Sequence, residues 1–206
     1  MTVLYDYWRS SAAYRVRIGL HVLGVRYRTI PVDLMAGAHK APENLARNPQ
    51  GLVPTLEIDR LCLTQSLAIL EYLADTRGGG LLPGDAPGRA RVRALAFAIA
   101  MEVAPVANLS VRTHVASLGG ITAEDWQRHY ITKGLVAFEA LLTDAATGTC
   151  CHGDHPTLPD LCLVPQIYNA DRLGLDAKAW PRAARIGAYL ATLPAFVAAH
   201  PDRVPR

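Results

Sequence analysis

A segment rich in glycine and proline divides this chain into two parts of different character. It covers residues 77–88 and reads RGGGLLPGDAPG. Short runs typical of β-strands occur only before this segment, and the chain after it shows only helical patterns. Such segments are typical of domain boundaries. We therefore predict that the 206 residues form two domains, over 1–79 and 87–206.

The first part alternates between strand and helix patterns. Val16, Leu20 and Leu23 recur at helical spacing, and Gly24 is a natural end for that helix. Asp59-Arg60 is a two-residue turn between two short apolar runs, which predicts a hairpin. The predicted elements are strands over 3–5, 27–32, 53–58 and 61–63, with helices over 12–23, 41–47 and 66–76, the last of them capped by Ser66.

The second part is predicted to be entirely helical. Helical patterns cover 89–116, 123–144, 159–173 and 181–190. Thr157 and Asp160 are spaced as a capping box for the third of these, with Pro159 just inside it. The fold class that follows is an α/β domain followed by an all-α domain.

Charge and composition restrict the partners. The 21 basic and 18 acidic residues leave a net charge of +3, without the basic clusters that nucleic-acid binding requires, so small acidic ligands are favoured. No apolar run approaches the ~20 residues that span a bilayer, and no signal-peptide pattern is visible. We expect a cytoplasmic protein without nucleic-acid or membrane partners.

The four cysteines predict neither a disulfide framework nor a metal site. A chain of this length does not need disulfides for its stability. Cys150 and Cys151, followed by His152 and His155, could suggest a metal. Adjacent cysteines chelate poorly, because structural zinc sites usually space them by two to four residues. We therefore interpret this stretch as a turn.

The stretch WRSSAAYRVRIGL, residues 8–20, places two hydroxyls where the first helix begins. Ser10 and Ser11 stand there with Arg9 before them and Arg15 after them. A serine at this position commonly caps the helix. The same position can hold an anion, since free backbone N–H groups and the helix dipole make it positive. The two roles are compatible.

The order of elements resembles a thioredoxin-like domain, and the helical second part resembles that of the cytosolic glutathione transferases. Arg9-Ser10-Ser11 followed by Arg15-Val16-Arg17-Ile18 resembles the zeta-class signature. Further similar motifs extend over nearly the whole chain: Asn48-Pro49, Val53-Pro54-Thr55-Leu56, Gln65-Ser66-Leu67-Ala68-Ile69, Asn108-Leu109-Ser110-Val111 and Val164-Pro165-Gln166.

This resemblance implies a maleylacetoacetate or maleylpyruvate isomerase, which uses glutathione as a regenerated cofactor and acts on a small dicarboxylic keto acid. It implies that Ser10 or Ser11 activates the thiol and that Arg9 stabilises negative charge on the substrate. It also implies a homodimer. The remaining implied roles are cofactor binding by His39, Gln50, Val53, Pro54 (through a cis peptide bond), Gln65, Ser66 and Asn108, and substrate binding by Arg9 and Arg172.

Three positions depart from the family pattern. Ala12 replaces the cysteine that follows the serine pair, which removes a thiol but not the hydroxyls. Ala107 stands where the family has a glutamine. Leu109-Ser110 follows Asn108 where maleylpyruvate isomerases have two arginines, which favours maleylacetoacetate.

Two other functions stay open at this point. A general glutathione transferase, acting on electrophiles or 2-halo acids, shares the first chemical steps. A non-catalytic binding module is the third possibility, although Ser10, Ser11, Gln65 and Ser66 together argue against it.

Overall fold

The computed structural model describes residues 1–205 of the chain. Its internal contacts define two compact units. One comprises Met1–Leu81 together with the chain from Leu193 onward, and the other is Leu82–Thr192. The boundary near residue 81 lies within the segment rich in glycine and proline.

The first unit is built on a four-stranded mixed sheet. Its strands are β1 (Val3–Asp6), β2 (Arg28–Pro31), β3 (Thr55–Ile58) and β4 (Leu61–Thr64). The strand order is β2-β1-β3-β4. β1 and β2 pair in parallel, whereas β1–β3 and β3–β4 are antiparallel. The predicted thioredoxin-like fold is confirmed, including the hairpin around Asp59-Arg60.

Nine helices are found in residues 1–205, besides short 3-10 turns. Three follow the strands of the first unit, five form the second unit, and the last returns to the first. They are α1 (Ser11–Val22), α2 (Pro42–Arg47), α3 (Ser66–Arg77), α4 (Ala86–Ala100), α5 (Leu109–Ser117), α6 (Ala123–Leu141), α7 (Leu158–Arg172), α8 (Pro181–Leu190) and α9 (Pro194–Ala199).

Helices α1 and α3 pack on one face of the sheet. Their apolar residues meet those of β1 and β3 in a buried core, because side chains alternate along each strand and recur every three or four residues along each helix. The buried members are Leu4, Val16, Leu20, Leu56, Ile58, Ile69 and Leu73. This core fixes where α1 begins relative to β1.

Helix α9 packs against α1 within the first unit. The Arg17 Nε donates to the carbonyl oxygen of Ala199 at 3.0 Å. Sequence patterns did not predict this helix of six residues, because it is too short to show a helical period.

The sequence-based division into 1–79 and 87–206 assumes a continuous second domain, and it stays a prediction.

The second unit is entirely helical in its described residues. The continuous helix predicted over 89–116 is wrong, because α4 ends at Ala100 and α5 begins only at Leu109. Pro105 lies in the interruption and has no N–H for a helical hydrogen bond. The Asn108 side chain then caps α5 by accepting from the Leu109 N–H at 2.7 Å.

The start of α7 is held by a buried carboxylate. Asp160 accepts from the backbone N–H and hydroxyl of Thr157, at 2.8 and 2.9 Å, and from the Cys151 N–H at 2.8 Å. Burial raises the pKa of Asp160, and these hydrogen bonds act in the opposite direction by favouring the carboxylate. The predicted capping role of Thr157 and Asp160 is confirmed.

Asp160→Asn is expected to lower the free energy of unfolding by about 2 kcal/mol, since an amide cannot accept from all three donors and hydrogen bonds to charged groups are the stronger ones. Asp125→Asn is the matched control, because Asp125 pairs with Thr122 at the exposed start of α6. Urea unfolding should show a much smaller loss for the control. Equal losses would contradict the role of burial.

Candidate active site

The start of α1 is capped by a serine and has no acidic residue in its first turn. The Ser10 hydroxyl caps the helix by accepting from the Ala13 N–H at 3.2 Å. No carboxylate of that turn therefore neutralises the positive end of the helix dipole. In this geometry the Ser10 oxygen acts as acceptor towards the helix, while its proton can be donated to an external anion.

Arg9 precedes this cap and lies over an aromatic ring. Its guanidinium carbon is 5.2 Å from the centre of the Trp8 ring, a cation–π distance. Trp8, Arg9 and Ser10 are all partly exposed. The contact orients the side chain of the residue that immediately precedes Ser10, at a partly exposed end of the helix.

The start of α3 forms the second part of the site, and it corrects the expected cap. Gln65 occupies the N-cap position with φ 66° and ψ 111°, and no side chain caps the helix. The prediction that Ser66 is the N-cap is wrong, because Ser66 is the first residue of the helix and its hydroxyl is used elsewhere. It accepts from the Arg15 guanidinium at 3.2 Å.

Arg15 is a site residue that sequence reasoning did not identify. It lies on the buried face of α1, with 3% of its surface exposed, and it brings a positive charge to the first turn of α3. Its place in the helical period of α1 gives no sign of this role, because the contact is with a residue 51 positions away. A second partly exposed helix start is thereby equipped for an anion.

The residues immediately before β3 lie beside the loop that leads to the start of α1. The Val53–Pro54 peptide bond is cis, as the resemblance implied. Tyr5 pairs with Thr55, so extending the antiparallel register places Val53 opposite Tyr7, at the base of the loop that carries Arg9 and Ser10. Val53 and Tyr7 indeed share an apolar cluster.

The loop after α2 brings the predicted residue Gln50 to Gln65 and lies beside His39. The Gln65 amide donates to the Gln50 side chain at 2.7 Å. Asn48 is buried and holds this loop, accepting from the Gln50 N–H at 3.1 Å and donating to the Leu52 carbonyl at 3.0 Å. A side chain at Gly51 would contact the His39 carbonyl oxygen, so His39 lies beside the same loop.

The surroundings of His39 favour its neutral form. Burial, with Lys40 beside it, lowers the pKa of His39 below its ordinary value. Its Nδ1 is buried and has no hydrogen-bond partner within residues 1–205. An unpartnered buried nitrogen is costly, which is consistent with a ligand group at this position.

Asn108 and Arg172 belong to the second unit. Asn108 is exposed and caps α5. Arg172 is exposed at the last turn of α7, with its guanidinium 5.7 Å from the centre of the Tyr168 ring. The first unit thus brings together the predicted residues at the starts of α1, β3 and α3, while these two stand on a separate compact unit.

The cysteines show no features of a reactive or metal-binding site. Cys150, Cys151 and Cys162 are buried free thiols, and Cys62 is exposed. Burial raises the pKa of Cys150 to about 12, which keeps it protonated. Within the described part of the chain, no group of three or more His, Cys, Asp or Glu side chains could hold a metal ion. Nor does any helix of residues 1–205 have the length and apolar character to cross a membrane.

Comparison with known proteins places this architecture in a class. Residues 2–75 match the family described as the glutathione S-transferase N-terminal domain. A thioredoxin-like sheet with a cis-proline before β3, continued by a helical unit, is a glutathione transferase fold.

Full-length relatives define the family within that class. Maleylacetoacetate isomerase of Rhizobium meliloti (strain 1021) is 57% identical, over 98% of this chain and 97% of the relative. The chain belongs to the maleylacetoacetate isomerase family, in the zeta class of glutathione transferases.

Solved structures agree with this family. The holo structure of a bacterial zeta-class maleylpyruvate isomerase superposes with a TM-score of 0.95 at 37% identity, and covers 98% of both chains. Maleylacetoacetate isomerase from Methylobacterium extorquens AM1, with bound malonate and glutathione, superposes with a TM-score of 0.94 at 40% identity, and also covers 98% of both chains.

Gln65→Gly is expected to raise the free energy of unfolding by about 1 kcal/mol, since a left-handed backbone is strained for glutamine but not for glycine. Gln50→Gly is the matched control, because it removes the same side-chain hydrogen bond at a residue outside the left-handed region. The control should be slightly destabilised through the entropy of the unfolded chain. Urea midpoints that fall for both variants would show that Gln65 is not strained.

Proposed function

We propose that this chain catalyses the glutathione-dependent cis–trans isomerisation of maleylacetoacetate to its fumaryl isomer. The observation that carries the proposal is the start of α1, where the capping hydroxyl of Ser10 faces a helix end without acidic residues. The family and the relative at 57% identity support the same reaction.

The residues of the first unit fit glutathione. The γ-glutamyl carboxylate suits the start of α3, where Ser66 accepts from Arg15 and therefore keeps its own proton for an anion. Val53 would offer its backbone groups to the cysteinyl part, as an added strand does. His39 and Gln50 would contact the glycine end, where the His39 Nδ1 is buried and unpartnered in the described chain. Asn108 is a further candidate for cofactor binding.

When bound, glutathione would supply a thiolate, the nucleophile that reversible addition to the cis double bond requires. The residues at α1 have to favour the ionised sulfur, because a free thiol titrates near pH ~8.5. A hydroxyl that donates a hydrogen bond to the thiolate stabilises it by roughly 1.5–3 kcal/mol. The pKa of the thiol then falls by about one to two pH units. Ser10 is the first candidate for this donor, and the helix dipole adds to it.

Positive side chains would stabilise the charge on the substrate. Arg9 would stabilise negative charge that develops on a carbonyl oxygen of the substrate. Arg172 would bind a substrate carboxylate through its planar guanidinium. The malonate bound by the relative from Methylobacterium extorquens AM1 is likewise a small dicarboxylate, which supports a dianionic substrate.

One assay tests the proposal directly. Purified protein is incubated with maleylacetoacetate or maleylpyruvate, with and without glutathione, and the fumaryl product is followed. The proposal predicts a glutathione-dependent rate, larger on maleylacetoacetate, with no net loss of glutathione. A rate without glutathione would contradict the mechanism, net consumption would indicate conjugation, and absence of glutathione binding would indicate a non-catalytic module.

The family resemblance also supports a homodimer and a cytoplasmic location. The dimer predicts a sedimentation-equilibrium mass of twice the 22.3 kDa chain, and a mass of one chain would contradict it. Fractionation of the source cells tests the location.

Ser10→Ala is expected to lower kcat about ten- to a hundredfold, because the thiolate loses a charge-assisted hydrogen bond. It should also cost about 1 kcal/mol of stability through the lost cap. Ser11→Ala is the comparison, since it leaves the cap intact, and its stability should stay near wild type. Steady-state kinetics with urea unfolding measures both effects. If only Ser11→Ala lost activity, the activating hydroxyl would be that of Ser11.

Arg172→Ala should raise the KM for the keto acid about tenfold or more, because a bidentate carboxylate contact is lost. The KM for glutathione should change little. Arg128→Ala removes an exposed arginine of the same unit that pairs with Glu124, and it should leave both constants unchanged. An unchanged KM in Arg172→Ala would exclude this arginine from substrate binding.

A further inference from the structure

Arg17 is a fully buried arginine that joins the end of β1, the loop that follows it and the end of α9. Its NH1 atom donates to both carboxylate oxygens of Asp6, at 2.8 Å each, at the end of β1. Its NH2 atom donates to the Trp8 carbonyl oxygen, and its Nε atom to that of Ala199, both at 3.0 Å. Its exposed surface is 0%.

The three contacts use the whole guanidinium fork. Each nitrogen faces a different segment, a geometry that the single ammonium of lysine cannot reproduce. Asp6 supplies the counter-charge that a buried cation requires. Burial raises the pKa of Asp6, while the Arg17 charge counteracts this by favouring the carboxylate.

The Trp8 contact lies within the loop that carries the proposed catalytic groups. Trp8 immediately precedes Arg9, and the Ser10 N–H donates to the Tyr7 carbonyl oxygen at 2.8 Å. Ser10 in turn caps α1, the helix that contains Arg17. The loop is therefore fixed at Tyr7 and at Trp8, and the second of these points depends on Arg17.

We propose that Arg17 is a positioning residue for the isomerase reaction, which sets Arg9 and the Ser10 hydroxyl by holding the Trp8 carbonyl. It acts through this loop and does not touch the substrate. Through Ala199 it also ties the end of α9 to the same loop, so the C-terminal helix supports the geometry of the α1 start. The role rests on the proposed function of Ser10.

Three measurements on Arg17→Lys separate positioning from a merely structural role. Hydrogen–deuterium exchange of the peptide over residues 7–14, without glutathione, should accelerate. The pKa of bound glutathione, read from thiolate absorbance against pH, should rise towards the ~8.5 of a free thiol. kcat should fall about ten- to a hundredfold, the range that a misplacement of about 1 Å produces, with a small change in the KM for glutathione.

Ile18→Ala is the control, because it is a fully buried core residue on the same helix. It should lower the melting temperature without changing the bound thiol pKa. If Arg17→Lys loses stability but keeps the wild-type thiol pKa and loop exchange, the positioning role is overturned. If Arg17→Lys does not fold, Asp6→Asn takes its place. This variant should accelerate exchange of the 7–14 peptide and raise the pKa of bound glutathione, each by less than Arg17→Lys would. Wild-type values of both would overturn the proposal.

The two proposals can fail separately. Absence of isomerase activity in the wild-type protein would contradict the proposed function, whereas exchange of the loop peptide still reports whether Arg17 fixes it. A wild-type enzyme that is active, with a thiol pKa insensitive to Arg17, would contradict only the positioning role.

Discussion

The structure of the first unit depends on how α1 begins. β1 ends at Asp6, and within four residues the chain has to turn and start a helix capped by Ser10. The apolar face of α1 packs against the sheet, so the position of this start is fixed by the core. Because its first turn carries no acidic residue, the helix end stays available for an external anion.

Buried charged side chains stabilise several helix starts and loops in both units. In the first unit, Arg15 contacts the start of α3 and Arg17 holds the loop before α1. In the second unit, Asp160 at the start of α7 accepts a hydrogen bond from the Cys151 N–H. Glu139 accepts hydrogen bonds from the Arg182 and Ala183 N–H groups at the start of α8. Removing one partner of such a contact is costly, because the other is left buried. Arg15 satisfies a side-chain hydroxyl, and the other three charges satisfy backbone groups that the apolar core cannot.

Local sequence patterns predicted what depends on neighbouring residues. The period of α1, the hairpin at Asp59-Arg60 and the Thr157–Asp160 cap follow from short-range rules, and the family resemblance supplied the cis bond before Pro54. Contacts between distant residues were not predictable. Arg15 meets Ser66 across 51 positions and Arg17 meets Ala199 across 182, so nothing in the local pattern distinguishes these arginines. Ser66 was misassigned because its hydroxyl serves such a contact.

The central claim is that glutathione binds with its sulfur ionised at the start of α1. A crystal structure of the protein with glutathione tests it most directly. The account predicts the sulfur within hydrogen-bond distance of the Ser10 or Ser11 hydroxyl, with the γ-glutamyl carboxylate at Ser66. A sulfur that contacts neither hydroxyl and faces another donor would contradict it.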